Sequence, residues 1–215
     1  MKFSIIIPTY NHCEDLLKPC IESIMKYTDF DEVELIVIAN GCTDETEKYL
    51  EYIQRVFECK GTADHFTYSF IHEPVGFAVA CNHGIEIASG DIIVLLNNDT
   101  LLLDQEQNRW LDIFEEEFLK DKNCGIACVA KGYVPELDRY FGVFFCVAIL
   151  YEVIEKIGNL DDRFKVGSSE DIDFCFRAED AGYKVNQVFD QNVDNKWGYV
   201  GKFPIFHKGE GTVHE

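Results

Sequence analysis

Carboxylates occur at two positions where their surroundings suit them to chemistry. Asp99 closes the sequence Asn97-Asn98-Asp99 directly after an apolar run, and Glu170-Asp171 opens a helical stretch. A carboxylate at a strand end, with an imidazole such as that of His207 nearby, could hold a divalent cation that bridges a diphosphate. A carboxylate in the first turn of a helix is stabilised as an anion by the helix dipole and could accept a proton as a general base.

Each of these patterns also has a purely structural interpretation. Asn-Asn-Asp sequences commonly form turns, acids at a helix start complement the dipole, and a lone histidine such as His207 is commonly exposed. On a helix, Asp171 and Asp173 lie about 200° apart, so at most one of them can face a given site. Asp173 also precedes Arg177 by four residues, the spacing of a helical ion pair.

Short apolar runs alternate with helical periods in the first half of the chain. The runs are continuous rather than alternating, as expected for strands buried on both faces. They predict strands over residues 4–7, 33–38, 67–71 and 92–96, with helices over 16–25, 46–57 (capped by Thr43 or Asp44) and 77–88. This order predicts βαβ units and a parallel sheet.

Polar loops follow each of these four strands, at residues 9–11, 40–42, 73–76 and 97–99. Because ligands bind at the carboxyl ends of parallel strands, we expect these loops to meet at one edge of the sheet. No dinucleotide fingerprint follows the first strand and no P-loop sequence occurs, so a phosphate would have to be held by other means.

The second half of the chain has a different pattern. It predicts a helix over 110–120, a core strand over 141–150, a turn at 158–161, a helix over 170–181, a strand over 185–189 and a loop-like tail from 191. No repeat, linker or low-complexity tract divides it from the first half. A single domain is therefore expected.

Charge and cysteine content exclude several classes of protein. Nineteen Lys and Arg against thirty-nine Asp and Glu give a net charge of −20, which repels nucleic acid and anionic membranes. An anionic ligand would need a cation to offset this field. The nine cysteines lack paired C-x-x-C spacing, which indicates reduced thiols in a cytoplasmic protein. No secretion signal or transmembrane segment is apparent.

The motifs, taken in order, resemble those of the family 2 glycosyltransferases with the GT-A fold. The resemblance covers nearly the whole chain and rests on residues 4–11, 38–44, 76–84, 90–100, 157–161, Glu170-Asp171 with Arg177 and 181–183, and 206–207. It implies an α/β fold with a Rossmann-like, mostly parallel sheet flanked by helices in one domain over 1–215. Residues 1–100 would form the nucleotide-binding half, and 101–215 the acceptor and catalytic half.

The resemblance also assigns roles to individual residues. Asp171 matches the acid that deprotonates the acceptor hydroxyl, Asp99 the metal ligand of the D-x-D motif, and His207 a histidine that completes the metal or diphosphate site. The implied substrate-binding residues are Pro8, Thr9, Tyr10, Asn40, Asp44, Gly76, Asn82, Asn97, Asn98, Asp161 and Glu170.

The activity implied is metal-dependent transfer of a sugar, with inversion, from a nucleoside diphosphate sugar to a hydroxyl of a glycan. Mn²⁺ or Mg²⁺ is the implied cofactor, and UDP is favoured over dTDP as the nucleotide. The Leu-Asn-Asn-Asp-Thr sequence at 96–100 resembles rhamnosyltransferase-like members. Many relatives continue beyond the equivalent of His207, so the chain is compatible with one domain of a longer protein.

Two positions depart from the family pattern. Ala39 stands where an Asp usually contacts the base or ribose, which would shift base recognition to Asn40 or Asp44. Asn97 replaces the first Asp of D-x-D and lowers the charge at the metal site. These departures leave open a non-catalytic nucleotide-sugar or carbohydrate-binding module. A sugar-nucleotide pyrophosphorylase is the other alternative, although residues 10–15 lack its basic, glycine-rich loop.

Overall fold

The computed structural model describes residues 2–164, 169–188 and 203–209. The strands in these ranges are β1 (Phe3–Thr9), β2 (Val33–Asn40), β3 (Phe66–Ile71), β4 (Ile92–Leu96), β5 (Thr100–Leu102), β6 (Cys124–Cys128), β7 (Lys131–Val134), β8 (Arg139–Gly142), β9 (Cys146–Leu150), β10 (Lys184–Gln187) and β11 (Ile205–His207). The helices are α1 (Lys18–Tyr27), α2 (Thr46–Lys60), α3 (Phe77–Ile87), α4 (Arg109–Lys120), α5 (Tyr151–Ile157) and α6 (Glu170–Asp180).

Seven strands form the central sheet, in the order β10-β6-β9-β4-β1-β2-β3. All run parallel to one another except β9, which pairs antiparallel with both β4 and β6. The carboxyl ends of the parallel strands therefore lie along one edge, together with the start of β9. We call this the carboxyl edge. The expected fold class, α/β with a mostly parallel sheet flanked by helices, is confirmed.

The continuous apolar runs are explained by two hydrophobic cores, one on each face of the sheet. Ile5 and Ile7 face the core that contains α1, α2 and α4, whereas Ile6 faces the core that contains α3, α5 and α6. Because both faces are buried, β1 has no polar alternation.

The first half matches the sequence predictions closely. β1 to β4 and α1 to α3 all form, and a π-helical turn over Cys13–Leu17 precedes α1. Asp44, one residue before the formal N-cap Glu45 of α2, accepts a hydrogen bond from the Thr46 backbone N–H at 3.1 Å. The Asp44 side chain thus bonds to a backbone N–H at the start of α2, which is the role that the sequence predicted for an N-cap residue.

The second half departs from prediction at residues 141–150. The expected single strand is wrong, because the run divides into the end of β8 and the whole of β9. Between them the Val143 N–H donates to Ala130 O and Asn97 N–H donates to Phe145 O, so the backbone leaves one sheet and enters another. Apolar content alone does not distinguish such a break from a continuous strand.

Several elements were not predicted: β5, β6, β7, α5 and β11. β11 lies in the tail expected to be a loop, where it pairs antiparallel with β5 and places His207 opposite Thr100. Residues 191–202 and 210–215 of that tail lie outside the described residues, as does Phe189 at the end of the strand predicted over 185–189. Within the described ranges, no helix has the length and apolarity required to cross a bilayer.

Candidate functional site

The loops at the carboxyl edge are joined to one another by their own side chains. Asn98 Nδ2 donates to Thr9 Oγ1 at 2.8 Å, which links the ends of β4 and β1. Asn11 Oδ1 accepts from the Thr43 N–H at 2.8 Å, which links the loops after β1 and β2. The four polar loops expected to converge on one edge therefore do so. Pro8 is buried within β1, and Tyr10 is half-buried at its end.

Asn40 and Gly76 are brought together at the ends of β2 and β3. Asn40 Nδ2 donates to Gly76 O at 3.3 Å, and Asn40 Oδ1 accepts from the Val75 N–H at 2.8 Å. Gly41 has φ +76°, and a Cβ there would lie 2.6 Å from Pro74 N. A side chain is excluded at Gly41, so the two loops pack backbone against backbone.

The Asp44 carboxylate is engaged by the protein itself. Its Oδ2 accepts from the Cys13 N–H at 2.9 Å, and its Oδ1 accepts from the hydroxyl and the N–H of Thr46. Burial acts to raise the pKa of Asp44, but these hydrogen bonds outweigh it and hold the pKa below its usual value. Asp44 therefore positions the turn before α2 with its carboxylate ionised.

Asn82 on α3 contacts the loop that follows α5, and Asp161 lies in that loop. The Asn82 amide spans Leu160, donating to Leu160 O at 2.8 Å and accepting from its N–H at 3.0 Å. Asp161 forms an ion pair with Arg163, whose hydrogen bonds lower the pKa of Asp161 to about 2. The structure thus attaches residues 158–161 to α3.

Asp99 and His207 lie side by side although 108 residues separate them, with His207 Nε2 3.3 Å from Asp99 Oδ1. Asp99 is 3 % exposed, and neither of its carboxylate oxygens receives a hydrogen bond within the described part of the chain. The Lys208 N–H donates to Asp99 O at 2.9 Å, which holds the two segments together. A buried carboxylate left in this state is costly unless a cation accompanies it.

Phe145, which sequence analysis did not single out, supports this pair. Its ring stacks on the His207 imidazole with centroids 4.1 Å apart and planes 6° from parallel. Its carbonyl accepts from the Asn97 N–H at 2.8 Å, and the Asn97 side-chain oxygen is buried without a hydrogen bond from the described residues. No sequence signal marks Phe145, because it lies inside a long apolar run.

Asp171 is half-buried in the first turn of α6. Burial raises its pKa above the usual value, although backbone hydrogen bonds from Ile172, Asp171 and Phe144 oppose the shift. Desolvation is thus the largest influence on the pKa of Asp171, and it acts against the stabilisation of the anion that the position in the first helical turn predicts. A raised pKa makes this carboxylate a stronger base once it is ionised.

The neighbours of Asp171 have different roles. Asp173 Oδ2 accepts from Arg177 Nε at 2.8 Å, as the helical spacing predicted, and Arg177 also donates to the Ile157 and Asn159 carbonyls. Glu170 is 7 % exposed, and its charge contributes, after burial, to raising the pKa of Cys81 on α3. Asp171 lies beside the Phe144 backbone, in the segment that also carries Phe145.

The segment Val143–Phe145 thus connects the two candidate centres. The backbone of Phe144 hydrogen-bonds to Asp171 and acts to lower its pKa. The ring of Phe145 stacks on the imidazole of His207, which lies beside Asp99. Two clefts, of about 310 Å³ beside α4 and about 670 Å³ at the opposite edge of the sheet near Asp91, contain none of these groups. The candidate site is therefore the carboxyl edge around β4, β9 and the start of α6.

The comparison with family models identifies the chain. The model described as glycosyl transferase family 2 matches residues 4–124. The chain belongs to this family. The domain is accordingly a glycosyltransferase domain, and the family predicted from the motifs is confirmed.

Individual relatives agree with this assignment. The O-antigen biosynthesis protein RfbC of Myxococcus xanthus is 24% identical over 86% of this chain and 16% of its own length. The poly(ribitol-phosphate) beta-glucosyltransferase of Bacillus spizizenii is 27% identical over 54% of this chain and 18% of its own length. The chain thus spans less than a fifth of either protein.

Solved structures show the same fold. The mannosyltransferase PcManGT from Pyrobaculum calidifontis, in complex with GDP-Man and Mn²⁺, aligns with TM-score 0.68 and 20% identity over 86% of this chain and 54% of that one. GalNAc-T7, with UDP, GalNAc and Mn²⁺, aligns with TM-score 0.69 and 14% identity over 86% of this chain and 42% of that one. The GT-A architecture is therefore confirmed.

Proposed function

We propose that this domain transfers a sugar, with inversion and with a divalent cation, from a nucleoside diphosphate sugar to a hydroxyl group of a glycan. Family membership supports the transferase class. The observation that carries the proposal is the state of Asp99, a buried carboxylate with no hydrogen bond from the described residues beside His207.

The residues present fit a divalent cation. A carboxylate and an imidazole suit Mn²⁺ and also Mg²⁺, which is commonly held by one or two protein carboxylates together with substrate phosphates. Among the described residues no third His, Cys, Asp or Glu completes a protein-only site. Asp99 and His207 would hold the ion, and diphosphate oxygens and water would supply its other ligands. The bound ion would stabilise negative charge on the departing diphosphate.

The protein's own residues perform the remaining tasks. Asp171 accepts the proton of the attacking hydroxyl, for which its raised pKa and its position beside Phe144 suit it. Phe145 keeps the His207 ring in place through the parallel stack of the two rings. With Asp171 and the leaving diphosphate on opposite sides of the anomeric carbon, the attack inverts its configuration.

The nucleotide is proposed as UDP, with dTDP second. Two solved structures of the same fold contain UDP or GDP-Man with Mn²⁺, which supports a nucleoside diphosphate donor. Ala39 is fully buried in β2, so it offers no polar group to a base. Asn40 and Asp44 each bond to the protein backbone, so we expect their part in base recognition to be indirect.

A thermal-shift screen tests the proposal. Nucleotide sugars are added with Mn²⁺ or with a chelator, and a ligand at ~100 times its dissociation constant stabilises the fold by about 2.7 kcal/mol. We expect stabilisation by at least one UDP- or dTDP-sugar that requires Mn²⁺, followed by slow hydrolysis of that donor.

Asp99→Asn should lose the Mn²⁺-dependent stabilisation, whereas Asp112→Asn, an exposed acid on α4, should retain it. Stabilisation without any donor hydrolysis or transfer would instead favour a non-catalytic binding module. Cleavage of the nucleotide sugar by added pyrophosphate, with release of a nucleoside triphosphate and a sugar phosphate, would favour a pyrophosphorylase.

A further inference from the structure

The loop that follows α5 is held by side chains from two different helices. Its residues 157–160 contribute four backbone groups to hydrogen bonds with the side chains of Asn82 and Arg177. We call this stretch the bracketed loop. Leu160, at its end, is 3 % exposed and lies in the core that contains α3, α5 and α6. A loop with bonded backbone groups and a buried side chain has little freedom to move.

The two side chains reach the bracketed loop from opposite sides. From α3, Asn82 bonds to both backbone groups of Leu160, at 2.8 Å to its carbonyl and at 3.0 Å to its N–H. From α6, Arg177 Nη1 donates to Ile157 O at 2.7 Å, and Arg177 Nη2 donates to Asn159 O at 2.9 Å. The helices α3 and α6 are therefore connected through one short piece of backbone.

The Arg177 guanidinium is itself held in a fixed orientation. Its Nε donates to Asp173 Oδ2 at 2.8 Å, one turn earlier on α6. Its Cζ lies 5.2 Å from the centroid of the Phe174 ring, which is fully buried. A planar group with several donors can bond to a carboxylate and two carbonyls at once, whereas a lysine ammonium on its flexible stem is not suited to this arrangement.

Contacts continue from Arg177 to the candidate base, Asp171. The Phe174 ring, beneath the guanidinium, packs against the Phe144 ring with centroids 5.9 Å apart and planes at 67°. The backbone of Phe144 hydrogen-bonds to Asp171. Asp171 precedes Arg177 by six residues on the same helix, which is about 9 Å along its axis. A movement of α6 relative to the bracketed loop would therefore displace the Asp171 carboxylate.

The α3 side of the bracket leads to the loops that would surround the nucleotide. α3 begins directly after Gly76, whose carbonyl accepts a hydrogen bond from Asn40 at the end of β2. The charge of Glu170, at the start of α6, acts to raise the pKa of Cys81, the neighbour of Asn82. The start of α6 therefore faces the same part of α3 that holds the bracketed loop.

We propose that Arg177 and Asn82 are positioning residues of the transfer reaction, which fix α6 relative to α3 and thereby set the place of the Asp171 carboxylate against the donor. This inference rests on the proposed glycosyl transfer and adds two residues that act through backbone rather than by contact with substrate. Loss of either should lower the rate of the chemical step and leave donor affinity unchanged.

Donor hydrolysis by the full chain tests the role of Arg177. Release of nucleoside diphosphate is measured with Mn²⁺ and with UDP-glucose, UDP-galactose, UDP-N-acetylglucosamine, dTDP-glucose or dTDP-rhamnose. Arg177→Met, which keeps the apolar stem, should lower kcat by about tenfold to 10²-fold without a change in KM for the donor, because a small misplacement of a catalytic group has an effect of this size. Arg177→Lys, which keeps the charge beside Asp173, should give an intermediate kcat.

Arg139→Met is the matched control, because Arg139 makes the same kinds of contact with the other end of α6. It pairs with Glu179 and Asp180 and lies 3.9 Å from the Phe176 ring centroid. Its side chain is 31 % exposed, as is that of Arg177. Arg139→Met should lower the melting temperature about as much as Arg177→Met does, but it should keep the wild-type kcat.

Asn82→Ala tests the bracket from the α3 side and should also lower kcat with an unchanged KM for the donor. A raised KM in this variant would mean that Asn82 contacts the donor, and it would overturn the positioning role of that residue. A wild-type kcat in Arg177→Met, or an equal fall of kcat in Arg139→Met, would overturn the role of Arg177.

Hydrogen exchange, measured without any substrate, separates this inference from the proposed function. In Arg177→Met we expect faster exchange in residues 157–164 and in the first turn of α6, whereas Arg139→Met should change neither segment. Unchanged exchange in Arg177→Met, with donor hydrolysis by the wild type, would count against the bracket alone. Faster exchange with no donor hydrolysis by the wild type would overturn the proposed transferase function, and the positioning role with it.

Discussion

Two stretches of the carboxyl edge differ in how their polar groups are satisfied. Around the ends of β1, β2 and β3, the side chains of Thr9, Asn40 and Asp44 all bond to other parts of the protein. Around the end of β4, the side-chain oxygens of Asn97 and Asp99 are buried with no hydrogen bond from the described residues. Both stretches are polar sequences at strand ends. Of the two, the second contains the buried side-chain oxygens that accept no hydrogen bond from the described residues.

This difference distinguishes side chains that hold the loops in place from side chains that are available to bind a ligand. Buried polar atoms in folded proteins are nearly always paired, so those that are not require a specific explanation. At the first stretch, self-bonding holds the loops that would surround a nucleotide. At the second, a cation would coordinate the buried oxygens that receive no hydrogen bond from the described residues. Substitutions in the two stretches should therefore have opposite signatures in stability and activity.

The largest effect on rate is expected from Asp171→Asn. Removing a general base should reduce transfer by roughly 10²–10⁴-fold, while Mn²⁺-dependent donor binding persists. Transfer at the wild-type rate would eliminate Asp171 as the base. A steady-state assay with acceptor, alongside the thermal-shift measurement, provides both values.

The same variant makes a prediction about pH. Burial raises the pKa of Asp171, so the folded state favours its protonated form. The associated stability is present below the ordinary Asp pKa and is lost as pH rises through the folded-state pKa. Asp171→Asn should therefore melt above the wild type at neutral pH, and this difference should disappear in acid. Melting curves across the acidic and neutral range test this sign.

Asp99→Asn should also reduce transfer strongly, by roughly 10³-fold, because a metal ion supplies several kcal/mol of charge stabilisation. In the presence of a chelator it should melt above the wild type, since it removes a buried charge. A melting temperature below that of the wild type under those conditions would mean that Asp99 stabilises the fold without metal, and the contrast between the two stretches would fail.

Phe145→Leu tests the proposed metal site, and its expected effect is smaller than that of Asp99→Asn. The substitution keeps an apolar side chain but removes the parallel stack on His207, an interaction worth about 0.5–1.5 kcal/mol. We expect up to about tenfold weaker Mn²⁺ binding by calorimetry in the presence of UDP. The affinity for UDP measured in chelator serves as the control and should remain unchanged.

Asn40→Ala should give the smallest change in function and a clear loss of stability. It leaves the Val75 N–H and Gly76 O without their side-chain partner, at a cost of about 1–3 kcal/mol in the free energy of unfolding. Urea denaturation measures this loss. A large fall in nucleotide affinity with unchanged stability would show that Asn40 contacts the base directly. That result would contradict the role given to Asn40 here, which is to hold the loops after β2 and β3 together.

The sequence predicted the first half of the fold well because its signals are local. Continuous apolar runs, helix stripes and the turn before α2 all depend on residues near one another, so β1 to β4 and α1 to α3 appear as expected. The second half depends on long-range pairing. Whether residues 141–150 form one strand is decided by which strands β8 and β9 meet, and β11 forms only because β5 lies beside it.

The candidate site shows the same division. The order of the motifs predicted the family to which the chain belongs, and through that resemblance it proposed Asp99, Asp171 and His207 as site residues. The sequence could not show that Asp44 bonds to backbone, that Phe145 supports His207, or that Asn82 and Arg177 hold the same loop. Only the tertiary structure decided these points, because burial and hydrogen bonding depend on segments that are distant in the chain. The same physical reason explains Asp171, whose dipole was predictable from its helix position but whose pKa is governed by the desolvation that packing imposes.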